Sequence, residues 1–421
     1  MIKFLAKGLL RDRSRSLFPI LIIATGVMLT VLFYSWIKGY GLMMIEDNAR
    51  FETGHVKIVT RAYNEMIDQK PYDLGLLDVE SKIKTLKAEY PQMHWQPRIY
   101  FGGLLDLPDE NGVTQSQGEV IGFGVDLFSN NYEQKLLNLD EALSKGKLPA
   151  KQGEILISQD VAEKLGINID DKVTLIGSTM FGSMAMHNFT ISGMIRFGIQ
   201  AMDRGAVIAD IKDVRYFLDM EDAASEILGF LPQYNEKTTF EISASFNEKY
   251  TNEDDEFSDI MLPLKKQGQM EFILSTLDER IGMFMFMFIF IMSLVLWNSG
   301  LINGLRRYGE IGVRLAIGES KGHIYRSLIL ESLLTGIAAT IIGTAIGLAF
   351  SFYLQFHGID MSSLLKDVKV IMNATMRAQV TPSCYFIGFI PGVLASVIGA
   401  MFSGIGIYKR NTAQLFKELE T

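Results

Sequence analysis

Five histidines and one cysteine are the first places to look for chemistry in this 421-residue chain. His55, His94, His187, His323 and His357 are scattered, and no two stand four apart, so no helix face offers a paired metal site. No HExxH, CxxC, GxSxG or P-loop pattern occurs. Without a glycine-rich loop to cradle phosphates, the chain is not expected to be its own ATPase. The densest acidic stretch, residues 247–260 (NEKYTNEDDEFSDI), gathers Glu253, Asp254, Asp255, Glu256 and Asp259. It lacks the alternating ligands and turn glycine of an EF-hand, so it reads as a solvated loop, with a calcium loop as the alternative. Cys384 has no second cysteine to pair with. No catalytic residue, metal site or resident cofactor is expected, and nothing here argues for an enzyme.

Residues that grip partners are better represented. Arg306–Arg326 (RRYGEIGVRLAIGESKGHIYR) is short and amphipathic. Ile311, Leu315 and Ile324 are placed to pack, leaving Glu310, Arg314 and Glu319 free to meet a partner; the alternative is a basic loop on the membrane surface. Met283–Met292 (MFMFMFIFIM) mixes unbranched Met with flat Phe. There Met283, Phe284, Met287, Phe288 and Met292 offer an adaptable surface for acyl chains, or an ordinary lipid-facing one. A third segment, Gly177–His187, carries Met180, Phe181, Met184 and Met186 between strands predicted to end at Ile176 and to resume at Asn188. Its length and two glycines predict a mobile protruding loop. Its apolar side chains either dock a partner or fold back onto core or lipid.

These segments are positioned by a membrane frame. Hydrophobic residues make up 48% of the chain at a mean hydropathy of +0.18, as expected for part membrane and part soluble domain. Four apolar runs are long enough to span a bilayer: 17–37, 281–305, 329–354 and 383–408. None contains Lys, Arg or Asp, and Glu331 stands at the edge of the third. The leader 1–16, the connector 306–328 and the tail 409–421 together hold thirteen basic and five acidic residues, whereas 38–280 holds 24 basic and 40 acidic ones. The positive-inside rule therefore puts both termini and the connector in the cytoplasm, and 38–280 and 355–382 outside. Ile2, Leu5 and Leu9 can share a face, with Lys3, Lys7 and Arg11 at every fourth position. The leader thus reads as an interfacial helix or as a plain basic flank. No small-x-small cleavage site follows Ile37, so the first span is expected to be an uncleaved anchor. The acidic exported domain also argues against nucleic acid as a partner. Close helix packing is expected from Gly388, Gly392, Ser396, Ala400 and Gly404, spaced four apart in the fourth span. Gly343 and Gly347 in the third and Gly300 and Gly304 in the second add to it.

The exported segment alternates strands and helices. His55–Val59, Trp95–Phe101, Glu119–Val125, Asn188–Met194 and Ala206–Ala209 read as strands, and Leu77–Glu89 and Ile211–Leu218 as helices. The clearest unit runs from strand Glu154–Ile157 through a helix capped by Ser158 and stopped by Gly166 to strand Lys172–Ile176. Leu262–Glu279 reads as a helix continuing into the second span. The fold class is a multi-pass α-helical membrane protein, four transmembrane helices arranged 1 + 3, with a large α+β periplasmic domain.

Glu310-Ile311-Gly312-Val313-Arg314-Leu315-Ala316-Ile317-Gly318, followed by Leu330-Glu331, resembles the E-I-G-x-R-x-A-x-G…E signature of the FtsX/MacB superfamily of ABC permeases. Gly309 replaces the Arg usual before that Glu. Phe4–Arg11 with Arg15 is similar to the family's leader, and Gly153–Ser158 through Val173 to its MacB-type periplasmic core domain. Lys409–Phe416 takes the place of its C-terminal motif, with Thr412 where Pro is common. Phe51–Ile58 resembles the entry strand of the lipoprotein-releasing, LolC/LolE-like branch. The resemblance implies an FtsX-like permease domain over 281–416 and a second permease, copy or paralogue. It also implies a separate cytoplasmic ATPase dimer that binds the ATP and Mg, coupled through Glu310, Ile311, Gly312, Arg314, Gly318 and Glu319. On the outside it implies a periplasmic carrier or adaptor, and lipids or lipoproteins as what is moved. MacB-like export of peptides or amphiphiles through an outer-membrane duct, and FtsX-like control of cell-wall hydrolases, are the competing functions.

Overall fold

The computed structural model describes residues 13–109, 111–129, 131–197, 200–268, 270–305, 308–360 and 375–409. The leader motif before Arg13, most of the loop 355–382 and the tail beyond Lys409 lie outside the described residues. The chain divides into two compact units: Met44–Ser275 with Asp360–Thr375, and Met1–Met43 with Thr276–Ile359 and Met376–Thr421.

The first of these is built on ten strands: β1 (Val56–Thr60), β2 (His94–Pro108), β3 (Thr114–Val125), β4 (Leu143–Gly146), β5 (Glu154–Ser158), β6 (Lys172–Ser178), β7 (Met184–Ile195), β8 (Ala206–Asp210), β9 (Glu226–Phe230) and β10 (Asp259–Pro263). β2 is long enough to serve two sheets. Its first half pairs antiparallel with β9, and β9–β1–β10 complete a four-stranded sheet. Its second half pairs with β3 on one side and β6 on the other. From there β3–β8–β5–β7–β6 return to β2, so six strands close on themselves and leave no edge. Leu105, Ile157, Val173, Leu175, Phe189, Ile191 and Val207 belong to the main core. A second cluster, including Phe123, Leu127, Leu137, Leu139 and Phe197, covers part of the opposite face.

The strand–helix–strand unit forms for the local reasons expected. Ser158 Oγ accepts the Val161 N–H, and Gly166 ends the helix Gln159–Leu165 in the left-handed region at φ 71°. Between β10 and the second span the expectation of one helix from Leu262 fails. Met261 lies in the core, Pro263 pairs with Val56 at the end of the edge strand β10, and the helix begins only at Met270. Proline has no N–H to give, and an edge strand is where a sheet tolerates it. The helix Glu236–Tyr250, capped by Asn235, occupies the stretch least legible in the sequence. In the acidic loop after it, the Arg61 guanidinium donates to the carbonyls of Asn252, Glu253 and Asp255. Arg98 and Glu133, both fully buried, form a two-point ion pair (3.2 and 2.9 Å), and Arg98 also donates to the Phe51 carbonyl.

Four described helices, lying mostly in the other unit, are long and apolar enough to cross a membrane: Leu17–Thr53, Met270–Ile302, Lys321–His357 and Pro382–Ile405. Ile23, Ala24, Val27, Val31, Leu296, Ala339, Cys384 and Ala395 form their common core. The fourth is irregular. A 3-10 turn at Pro382–Tyr385 and a π-helical stretch at Ile390–Ala395 precede the α-helix Ser396–Lys409. Pro391 lies in the π stretch, where its missing N–H would break an α-helical ladder.

Candidate functional site

The connector folds as helix Tyr308–Ala316, a turn, and helix Lys321–His357. Ile311 packs with Ile324, Leu328 and Ala400, with Leu315 against them, and Gly312 is buried. The spacing of the motif is explained by how the first helix ends. Gly318 N–H bonds to the Leu315 carbonyl (3.0 Å) and Glu319 N–H to the Arg314 carbonyl (3.1 Å), the paired bonds of a Schellman stop. Gly318 takes φ +100°, a conformation that side chains disfavour. The reversal lays Glu319 on Arg314, where an apolar contact is usual. Nε and Nη2 of Arg314 each stand 2.6 Å from a Glu319 carboxylate oxygen.

Arg314 and Glu319 are therefore not free for a partner, as the sequence had suggested; they hold each other. The hydrogen bonds from Arg314 keep the Glu319 carboxyl below its usual pKa, and those to Glu319 raise Arg314. What the turn exposes is Glu310, Val313 and Ile317, the last at 81%. Spaced three and four apart, they share the helix face away from Ile311 and Leu315.

The small residues sit at close helix crossings. A methyl at Gly343 would lie 2.4 Å from the Ala24 carbonyl oxygen, and one at Gly347 2.9 Å from Val31 Cβ. At Gly388 it would meet Val27 at 2.6 Å, at Gly392 Thr340 Oγ1 at 2.2 Å, and at Gly404 the Tyr325 ring at 2.6 Å. At Gly343 a neighbouring backbone comes this close, and at the other four a side chain of the facing helix takes the space that a Cβ would need. The Met/Phe run divides between two sides. Met283, Phe284 and Met287 are exposed, whereas Phe288 stacks on Phe33 (4.4 Å between centroids) and Met292 lies against Gly26.

The Met-rich segment is a hairpin rather than an eleven-residue loop. β6 and β7 stay paired out to Ser178 and Met184, and a tight turn closes them through Thr179 N–H to Ser183 O (2.8 Å) and Gly182 N–H to Thr179 O (3.0 Å). Gly182 takes φ 80°. Met180 turns inward: it packs on the main core, and its N–H bonds to the Leu218 carbonyl. The other three face out, Phe181 at 74%, Met184 at 78% and Met186 at 60% exposure. Register extends the patch in a way the sequence did not reveal. Leu104 of β2 pairs with Ile176 of β6 and Ile176 with Met186 of β7, while exposed Ile121 stands two residues from Glu119, the other partner of Leu104. An apolar band thus crosses four strands to the hairpin tip.

Long apolar helices joined to a large strand-rich domain are the architecture of a membrane-anchored protein, and sequence comparison gives its family. Residues 16–271 match the MacB-like periplasmic core domain and residues 282–412 the FtsX-like permease C-terminal domain. The chain belongs to the FtsX/MacB family of ABC-transporter permeases. Similar curated proteins are the lipoprotein-releasing system transmembrane proteins LolC of two Xylella fastidiosa strains, Temecula1 and 9a5c. Each is 23% identical over 272 residues, 62% of this chain and 61% of the relative's own length. The crystal structure of the periplasmic region of MacB from Actinobacillus actinomycetemcomitans aligns over 55% of this chain and 95% of that one, at 12% identity and a TM-score of 0.36.

Proposed function

We propose that this chain is the inner-membrane permease half of an ABC system that releases acylated lipoproteins from the membrane to a periplasmic carrier. In this reading the spans are arranged 1 + 3, with both termini and the connector 306–328 in the cytoplasm. Two permeases, copies or paralogues, sit on a dimer of a separate ATPase that binds the ATP and Mg. Glu310, Val313 and Ile317 meet that ATPase, and the stop at Gly318 with the Arg314–Glu319 pair keeps the docking helix rigid against the next span. The exposed Met283, Phe284 and Met287 face acyl chains.

The observation that carries the lipoprotein reading is the exposed apolar hairpin tip of Phe181, Met184 and Met186, on a chain similar to proteins named as a lipoprotein-releasing system. An adaptable Met-rich tip suits a carrier that takes up lipid-modified cargo. Capture of the tagged chain from membranes, with mass spectrometry of bound proteins and lipids, is the test. An ATPase together with a soluble carrier and acylated proteins is expected. An adaptor and duct would replace this reading with export, and a cell-wall hydrolase would replace it with regulation; for the latter alone, the exported domain is larger than needed.

A further inference from the structure

Away from the hairpin, the four-stranded sheet of β10–β1–β9–β2 carries the helices Val79–Glu89 and Glu236–Tyr250, and a cavity of about 200 Å³ lies beside them. Ile58 of β1, Ile227 of β9, Leu86 and Phe246 make its walls apolar; Ser81, Thr85 and Tyr250 add hydroxyls. Two polar bridges hold the structure around it. Lys82 Nζ stands 2.6 Å from both carboxylate oxygens of Asp259, tying the first helix to β10. Seven residues along, Glu89 accepts from Lys249 and from the Tyr250 hydroxyl (2.7 Å), tying the two helices together. The cavity opens to solvent past the exposed Ser81 and Thr85, while its floor of Ile58, Ile227, Leu86 and Phe246 is buried. The two bridges fix the first helix to β10 and to the second helix on either side of the opening.

We infer that this cavity is a binding site for the alkyl end of a small amphiphile with an uncharged head. An apolar cavity of roughly 150 Å³ accepts benzene, so this one has room for a group of about six to eight carbons. The charge chemistry selects the head. Lys82 is already neutralised by Asp259, the domain is acidic, and the remaining polar groups at the cavity are hydroxyls that suit an alcohol or amide.

The test uses the full chain in lipid nanodiscs and a diazirine-bearing octanol as photoaffinity probe, with adducts mapped by mass spectrometry. Adducts on Leu86, Phe246 or Tyr250 are expected, at least tenfold reduced by excess 1-octanol. They should fall as far in Thr85→Trp or Ser81→Trp, which fill the cavity from exposed helix positions and should leave the fold intact. Monodisperse elution and unchanged hydrogen exchange in β1 and β9 verify the fold of each variant. Labelling that avoids these residues, resists octanol in the wild type, or persists in a folded variant overturns the inference.

Discussion

Within seven residues the hairpin of β6 and β7 holds one side chain packed on the core and three exposed ones, so the proposed docking role can be tested apart from folding. Replacing Phe181, Met184 and Met186 together by Ser removes three side chains that the domain itself leaves in solvent. Surface changes of this kind shift stability by about 0.5 kcal/mol or less each. If a partner covers them, each loses roughly 1.5–3 kcal/mol of burial. At about 1.4 kcal/mol per factor of ten, and allowing for the non-additivity of such contacts, binding should weaken at least about 100-fold. Met180→Ser is the opposite case. Its side chain packs on the core, and removing it should cost roughly 2 kcal/mol of stability, the low end for a core methionine because Met180 is only partly buried, while partner affinity stays within a few-fold. The assay measures carrier or adaptor capture by the full chain in nanodiscs, beside hydrogen exchange of the β6 and β7 amides. A triple variant that binds normally, or whose hairpin opens as readily as that of Met180→Ser, refutes the docking role.

Other expectations follow from the same geometry. Glu133→Gln leaves the fully buried Arg98 charge uncompensated and should destabilise the domain by about 3–5 kcal/mol, read as earlier chemical unfolding or faster core exchange. Gly392→Val forces side-chain carbons into the space of Thr340 and Val27 and should lower the melting temperature of the purified chain in detergent by several degrees. Ile317→Asp and Glu310→Lys should leave the permease folded but remove substrate-stimulated ATPase activity from the reconstituted complex; unchanged stimulation would clear both residues of docking. Topology is checked in whole cells with impermeant maleimide, using cysteines at Asn252 and Ser320, which are exposed, over a silent background because Cys384 is buried. Only the first should react.

Local signals were legible and distant pairings were not. Ser158 and Gly166 cap a helix by bonds within a few residues, so the 154–176 unit is readable from its own letters. β2 and β3 run on past the expected Phe101 and back before the expected Glu119, because their outer ends pair with each other as a long antiparallel ribbon. β10 was invisible as a strand since its partner, β1, lies about 200 residues earlier. The closure of β2 onto β6 is equally non-local, and with it the alignment of Leu104, Ile176 and Met186 into one band. The apolar spans needed only composition and length, although the π stretch around Pro391 shows that a run of apolar residues does not specify a plain α-helix.

The Glu310–Glu319 segment shows the same limit from the other side. On a straight helix, residues five apart point in different directions, so Arg314 and Glu319 looked like two independent charges offered to a partner. The chain reverses at Gly318, and the reversal converts them into a clasp between the end of one helix and the approach to the next. Such a clasp suits a lever. If the helix docks the ATPase as proposed, two backbone bonds, a bidentate ion pair and the Ile311–Ile324 contact would make it move together with the helix that follows. Because the pair depends on an ionised Glu319 whose pKa is depressed, the clasp persists through neutral pH and weakens only as acid titrates that carboxylate below its ordinary range. Glu319→Gln should therefore loosen the turn at neutral pH, seen as faster exchange of the Glu319 amide, with Arg314 and the apolar contacts otherwise in place.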